Sequence, residues 1–213
     1  MSYGTYILAT GGEVQTWENA FGRYIYDSRF RGKGPVLDIG AGRCWFTRQD
    51  PSSIRALDIE EEIVFHYRQE GLEIDCGSVY DIPFDSDSFA AVFCCWLFEH
   101  LTEPETAIKE VCRVLMRDGY ACVIVPSQRT LLRAFYDDYT HVRPFTRPSL
   151  TQLGRAGGFS SMRVSPLFWT RGSGFLSRRA SERAVYSYLK LADRLGRRIG
   201  LANRDNLVLE AWK

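Results

Sequence analysis

The segment Tyr136-Asp137-Asp138-Tyr139-Thr140-His141-Val142-Arg143 gathers carboxylates, a hydroxyl, an imidazole and a guanidinium in one short stretch. An imidazole titrates near neutrality and can take a proton from an alcohol or phenol. His141 is therefore the candidate general base, and Asp138 could orient its ring if the loop folds back. The competing reading is a structural pair that only stabilises the loop. A second group lies far upstream. Val36-Leu37-Asp38-Ile39-Gly40-Ala41-Gly42 is an apolar run carrying one acid and ending in a Gly-x-Gly turn, and Asp58 closes the next apolar run about 20 residues further on. A strand buried on both faces reads as continuous Val, Leu and Ile, and glycine lets backbone approach a ligand where a Cβ would clash. An acid placed like Asp58 reaches ribose hydroxyls. Its bland alternative is a cap on the Glu-rich helix that follows.

The ligand this turn suits is a nucleoside without phosphate. A pyrophosphate-binding G-x-G-x-x-G turn needs a third glycine at the position of Trp45, and no G-x-x-x-x-G-K-[ST] loop occurs. S-adenosylmethionine has ribose and adenine and no phosphate. The chain here resembles the class I S-adenosylmethionine-dependent methyltransferases, whose first motif usually reads acid-x-Gly-x-Gly-x-Gly; Cys44 stands at the last glycine.

Further ordered motifs over about residues 36 to 160 carry the resemblance. Ala56-Leu57-Asp58-Ile59-Glu60 resembles the second strand of the family, which implies that Asp58 holds the ribose and Ile59 lies against adenine. Gly77-Ser78-Val79-Tyr80-Asp81-Ile82-Pro83-Phe84 and Asp87-Ser88-Phe89 resemble the Gly-Asp-Ala-x-x-Leu-Pro-Phe and Ser-Phe-Asp segments, with Ser78 and Ala90 in place of two acids. A hydroxyl or backbone amide can still meet adenine there. Phe93-Cys94-Cys95-Trp96-Leu97-Phe98-Glu99-His100-Leu101 resembles the fourth strand and its loop, which implies that Cys95 and Trp96 contact the cofactor. Glu99 and His100 could instead cap the helix beginning near Pro104. Arg113 to Pro126 resembles the Arg-Val-Leu-Lys-Pro-Gly-Gly turn and fifth strand, and Asp-x-Thr-His-x-Arg at 138 to 143 resembles a substrate-facing segment of methyltransferase-like proteins in sugar and polyketide pathways. The resemblance thus implies a cofactor set of Asp38, Gly40, Gly42, Asp58, Ile59, Ser78, Val79, Cys95 and Trp96, with S-adenosylhomocysteine as product.

The elements that must position these groups alternate. Apolar runs recur near 36–40, 54–58, 73–76, 90–95, 120–125, 161–165 and 206–212, separated mostly by helical patterns. Trp17, Phe21, Tyr24 and Ile25 mark one face of a helix within 13–31, over the cofactor cleft. Ala107, Val111, Val114 and Leu115 mark another, stopped by Asp118-Gly119, and Leu150, Leu153 and Ala156 a third before Gly157-Gly158. Such alternation predicts an α/β fold with a mainly parallel sheet. The resemblance refines this to a Rossmann-like three-layer sandwich of seven strands, the last antiparallel. Residues 1–213 read as a single methyltransferase domain, with a core at 36–165 and a basic helical insertion at 171–205 before the closing strand.

Composition narrows the partners. The 27 basic and 26 acidic residues leave a net charge of +1, which nominates neither nucleic acid nor membrane. Within segment 171–205, Ser177 to Ile199 reads as helical, with Val185, Tyr188, Leu189, Ala192 and Leu195 on one side and arginines elsewhere; it could dock on an anionic surface, but a solvated helix packed on the sheet is preferred, because Tyr186, Tyr188 and Leu189 also need burial. The 6 cysteines form no CxxC pair, and His66, His100 and His141 stand alone in sequence, so no metal site is expected. Cys94 and Cys95 should point to opposite faces of one strand. Free thiols, no leader pattern and no long apolar run suggest a reduced, cytoplasmic protein. Three functions follow in order: methyl transfer to a small metabolite or glycoside, chiefly at oxygen; a methyltransferase-like cyclase or isomerase that moves no methyl group; and a binding protein for anionic surfaces.

Overall fold

The computed structural model describes residues 15–127, 135–167, 180–199 and 206–213, with side chains of the late helix described as far as 194. Its elements are α1 (Thr16–Ile25, continued by a π-helical turn Tyr26–Phe30), β1 (Val36–Ile39), β2 (Ile54–Asp58), α2 (Glu61–Gln69), β3 (Ile74–Cys76), β4 (Phe89–Cys95), α3 (Pro104–Val114), β5 (Leu115–Pro126), α4 (Arg147–Ala156), β6 (Ser161–Leu167), α5 (Glu182–Ile199) and β7 (Asn206–Trp212). The strands form one sheet in the order β3-β2-β1-β4-β5-β7-β6. Pairs from β3 to β5 are parallel, and β7 runs antiparallel to β5 and β6, as expected from the sequence.

Strand alternation sorts the core into two faces. Leu37 and Ile39 of β1 join Ala107, Ile108 and Val111 of α3 and Leu150 and Leu153 of α4. Val36 belongs with Phe21 and Ile25 of α1 and with Val185 and Leu189 of α5. Ile63, Val64 and Tyr67 of α2 pack on Ala56 and Ile74. Cys94 and Cys95 divide in the same way, one to each face. Every residue of β1 is buried, Asp38 included, which explains why the strand is apolar apart from that one acid.

Two boundaries differ from the periodicity. The third helix ends at Val114, not at Asp118-Gly119, because Leu115 already pairs with Phe89 as the first residue of β5. A register irregularity between Phe89 and Ala91 then absorbs the turn, where Asp118 takes φ 61°. The expected helix from Ser177 begins at Glu182; residues 171–179 and 200–205 of the basic segment lie outside the described residues. Val185 and Leu189 of α5 are buried, and the Tyr186 hydroxyl donates to Asp27 at 2.8 Å, so this helix packs on α1 and the turn after it. No helix among the described residues is long and apolar enough to cross a membrane.

Candidate active site

The sheet order reverses beside β1: the chain runs outward to β2 and β3, then returns to β4. Open α/β sheets bind ligands outside the carboxyl ends of the strands at such a switch. A cavity of about 620 Å³ lies there, lined by the residues that follow β1 (Gly40, Gly42), β2 (Asp58, Ile59), β3 (Ser78, Val79) and the end of β4 (Cys95, Trp96). Eight of the nine residues expected to meet a cofactor are thus brought together. The ninth, Asp38, is not among the lining residues.

Gly40 and Gly42 have φ of 68° and 50°, in the left-handed region that costs other residues energy. A Cβ on Gly40 would also lie 3.2 Å from Leu97. Asp58 holds this turn in place: its Oδ2 accepts from the Gly42 amide at 2.9 Å and its Oδ1 from the Glu60 amide at 3.0 Å. It is 8% exposed, and burial raises its carboxyl above the usual range. Each oxygen keeps a second lone pair.

Asp38 sits beneath the turn, 3% exposed, and its Oδ2 accepts from the Thr47 hydroxyl at 2.7 Å. Burial, with the Asp58 charge nearby, pushes this carboxyl up to about 7. Trp96, at the end of β4, adopts φ 54°. A bulky side chain there signals strain retained for a purpose. Its amide donates to the Ile124 carbonyl and its indole to Asn206 Oδ1, both at 2.9 Å, while its ring stacks on Phe21 at 5.9 Å.

Several lining residues had no place in the expected set. Gln15, Glu18 and Arg43 form one wall, with the Glu18 carboxylate accepting from the Gln15 amide at 2.8 Å and pairing with Arg43 at 3.2 Å. The signal for them was the Gln-x-x-Glu spacing that opens α1. That helix comes close because Gly22 has no side chain; a Cβ there would meet the Trp45 carbonyl at 2.8 Å.

The opposite wall carries His100 and Thr140. The Thr140 hydroxyl lies 2.6 Å from Asp138 Oδ1 and 2.9 Å from His100 Nδ1. A carboxylate only accepts, so the threonine proton goes to Asp138 and its oxygen accepts from His100 Nδ1–H. His100 Nε2 is therefore the bare ring nitrogen. His141 lies behind, ring centroids 4.7 Å apart, and is not among the lining residues. Its Nδ1 lies 2.7 Å from the Phe135 carbonyl, which requires N–H at that position and leaves Nε2 bare. Asp138 Oδ2 is 3.9 Å from His141 Nε2, too far for a hydrogen bond. The loop does fold back, but Asp138 orients His100 through Thr140, and the Phe135 carbonyl orients His141. Nor do Glu99 and His100 cap α3, whose N-cap is Glu103.

Comparison with known proteins agrees with this arrangement. A family model described as a methyltransferase domain matches residues 37–123, which run from β1 to β5 and include the glycine turn, Asp58, Ser78 and Trp96. This match, with the shared fold of solved methyltransferases, supports a class I S-adenosylmethionine-dependent methyltransferase family. It is 30% identical over 160 residues to 2-methyl-6-phytyl-1,4-hydroquinone methyltransferase 2, chloroplastic, of Oryza sativa subsp. japonica, covering 70% of this chain and 44% of the rice protein. The chain thus spans less than half the length of that relative. It is also 31% identical over 108 residues to an uncharacterized methyltransferase, YcgJ, of Bacillus subtilis, covering 46% and 43% of the two chains. The fold is shared with a solved methyltransferase of Thermotoga maritima described as a possible histamine N-methyltransferase: TM-score 0.66, 20% identity, 91% and 89% of the two chains.

The match to the family motif gives Cys44 a physical meaning. It occupies a glycine position of the family motif and has φ 53° while fully buried. Burial raises its thiol well above the ordinary value, so it is neutral packing and not a nucleophile. We expect Cys44→Gly to be more stable than Cys44→Ala by about 1 kcal/mol, against the usual order, because alanine keeps the backbone penalty and loses the sulfur. Urea titration of both variants measures the difference; alanine as the more stable would refute the strain.

Asp38 gives a pH signature. Its carboxyl holds a proton to about 7 when folded, whereas an unfolded aspartate releases it near 3.9. Between these values the native state binds more protons, so Asp38 makes stability fall as pH rises from about 4 to about 7 and level off above. Asp38→Asn keeps an acceptor for Thr47 and removes this slope. Chemical denaturation of both proteins at pH 5 and pH 8 should show the wild type losing more than the variant, by at most about 3 kcal/mol; parallel curves would refute the buried, neutral carboxyl.

Proposed function

We propose that this chain transfers a methyl group from S-adenosylmethionine to a small-molecule acceptor, at oxygen. The observation that carries the reading is the cavity at the switch point, walled by the Gly40–Gly42 turn and Asp58 on one side and by Cys95 and Trp96 on the other. The residues present suit the cofactor. Gly40 and Gly42 offer backbone without a Cβ, Asp58 has a free lone pair on each oxygen for the ribose hydroxyls, Ile59 and Val79 offer apolar faces to adenine, and the Ser78 region offers polar groups to its edge. Asp38 supports the turn from below through Thr47. When bound, the cofactor supplies an activated methyl group on a sulfonium leaving group.

The chain's own task is alignment, exclusion of water and acceptance of a proton. Trp45 and Trp96 give the cavity an aromatic side backed by Phe21, which suits a planar, apolar acceptor. A phenol or hydroquinone fits this wall, and the rice relative is named for such a substrate. Proton acceptance falls to the paired imidazoles: His100 at the wall, oriented through Thr140 and Asp138, and His141 behind it, each with a bare Nε2.

Calorimetry with S-adenosylmethionine and S-adenosylhomocysteine tests the cofactor, and absence of binding by folded protein would sink the proposal. Product mass after incubation with labelled cofactor and metabolite extract tests the reaction. A gain of one methyl group supports transfer. An isobaric product would favour the cyclase reading, for which the same fold in a [4+2]-cyclase, SpnF, is a precedent (TM-score 0.63, 18% identity, 92% and 80% of the two chains).

A further inference from the structure

The wall that carries the imidazoles contains a third group with no role in methyl transfer. Glu99 is 1% exposed, and neither carboxylate oxygen accepts a hydrogen bond of ordinary geometry. Its backbone carbonyl is what holds the segment, accepting from the amides of Val142 at 2.9 Å and Arg143 at 3.0 Å. That clamp brings the 138–143 loop onto the turn at 98–100 without using the acid. The side chain is left facing His100 and His141, with one ligand atom of each residue within 4.8 Å of the others.

We propose that Glu99, His100 and His141 bind a divalent first-row transition cation of the zinc type. Two neutral imidazoles and one carboxylate are the donor set such ions take when they keep a position open, and hard cations such as Mg²⁺ prefer oxygen alone. The outer contacts match a metal site. His141 donates Nδ1–H to the Phe135 carbonyl, and His100 donates Nδ1–H to Thr140, which is anchored on Asp138. Ligating histidines characteristically use the second ring nitrogen in this way, fixing the tautomer that presents the other lone pair. Ligand atoms around tetrahedral zinc lie roughly 3.4 Å apart, so the cluster closes by about an ångström. His100 lines the cavity, which makes the open position accessible to a small acceptor. The cation and the proton of the proposed reaction compete for the same lone pairs. Buried acid without a partner has a use here that a purely structural loop does not give it.

The inference goes beyond methyl transfer and is tested by binding. Chelator-treated protein is titrated with Co²⁺ and followed by visible absorption, and with Zn²⁺ by calorimetry, in excess Mg²⁺. We expect one saturable equivalent, indifferent to Mg²⁺, weakened at least about 10-fold in Glu99→Gln and in His141→Ala. The cobalt spectrum should change in His100→Ala, which leaves one ring-nitrogen ligand of the two. Circular dichroism and S-adenosylhomocysteine binding verify folding of each variant. No saturable binding by the wild type, or binding unchanged in Glu99→Gln, overturns the proposal; the latter would point to surface groups such as His66 and Glu70. Homocysteine-cofactor binding without cobalt binding would sink the cation site alone, and the reverse would sink the methyltransferase reading alone.

Discussion

Asp58→Ala is expected to weaken S-adenosylhomocysteine binding by about 100-fold while leaving the protein folded. The carboxylate spends one lone pair on the Gly42 amide and one on the Glu60 amide. The remaining pair on each oxygen is left to accept from a ribose diol in the cavity that Asp58 lines. Hydrogen bonds to a charged acceptor contribute roughly 1.5–3 kcal/mol each, so losing two of them costs about 3 kcal/mol or more, equivalent to roughly two powers of ten in Kd. Stability should respond less. The two amides lose their acceptor, but a carboxyl disfavoured by burial is also removed, and these changes oppose each other. Calorimetry and a thermal melt on one preparation separate the effects. Binding within about threefold of wild type would assign Asp58 to support of the turn and the start of α2, the bland reading that its sequence position also allowed.

The cofactor side of the site was legible because it is local. Each group there follows a buried strand, and the strand pattern locates both the turn and the residue after it: Gly40 after β1, Asp58 closing β2, Ser78 after β3, Trp96 after β4. Sequence could not tell that Asp38 faces a buried threonine and not the ligand. Strand alternation assigns a side of the sheet, but both the core and the cleft rim lie along β1. Nor could spacing reveal the acceptor wall. His100 and His141 belong to different segments, and the Glu99 carbonyl, taking two amides from the loop, helps to bring the rings within 4.7 Å. Hydrogen bonds of that kind carry no side-chain signature. The Cys44 substitution was readable as a departure from the family motif; that it costs a left-handed backbone needed the φ of 53°.

The acceptor wall also supplies the second large effect. His100→Ala and His141→Ala should each lower methyl transfer to a phenolic acceptor by about 100-fold, with S-adenosylhomocysteine binding within about threefold of wild type. A positioned imidazole contributes that much only if its lone pair meets the acceptor proton, and two features favour this. Each Nδ1 is committed elsewhere, so Nε2 is the free nitrogen on both rings. Burial and the neighbouring ring hold His100 below the ordinary histidine value, which keeps it neutral. The positioning residues should follow with smaller losses: Thr140→Val strands His100 Nδ1–H and is expected to cost about 10-fold, whereas Asp138→Asn keeps an acceptor for Thr140 and should cost less. Single-turnover measurements on chelator-treated protein read proton acceptance apart from any bound cation. If His100→Ala loses turnover and His141→Ala does not, the base is the ring at the cavity wall, and His141 serves to pack it. If neither loses turnover, the imidazoles are not part of the transfer, and proton removal must come from solvent or from the acceptor's own ionisation. The order His100, then Thr140, then Asp138 is the feature a merely structural loop would not reproduce, since unfolding of the loop would strike all of them, and cofactor binding, alike.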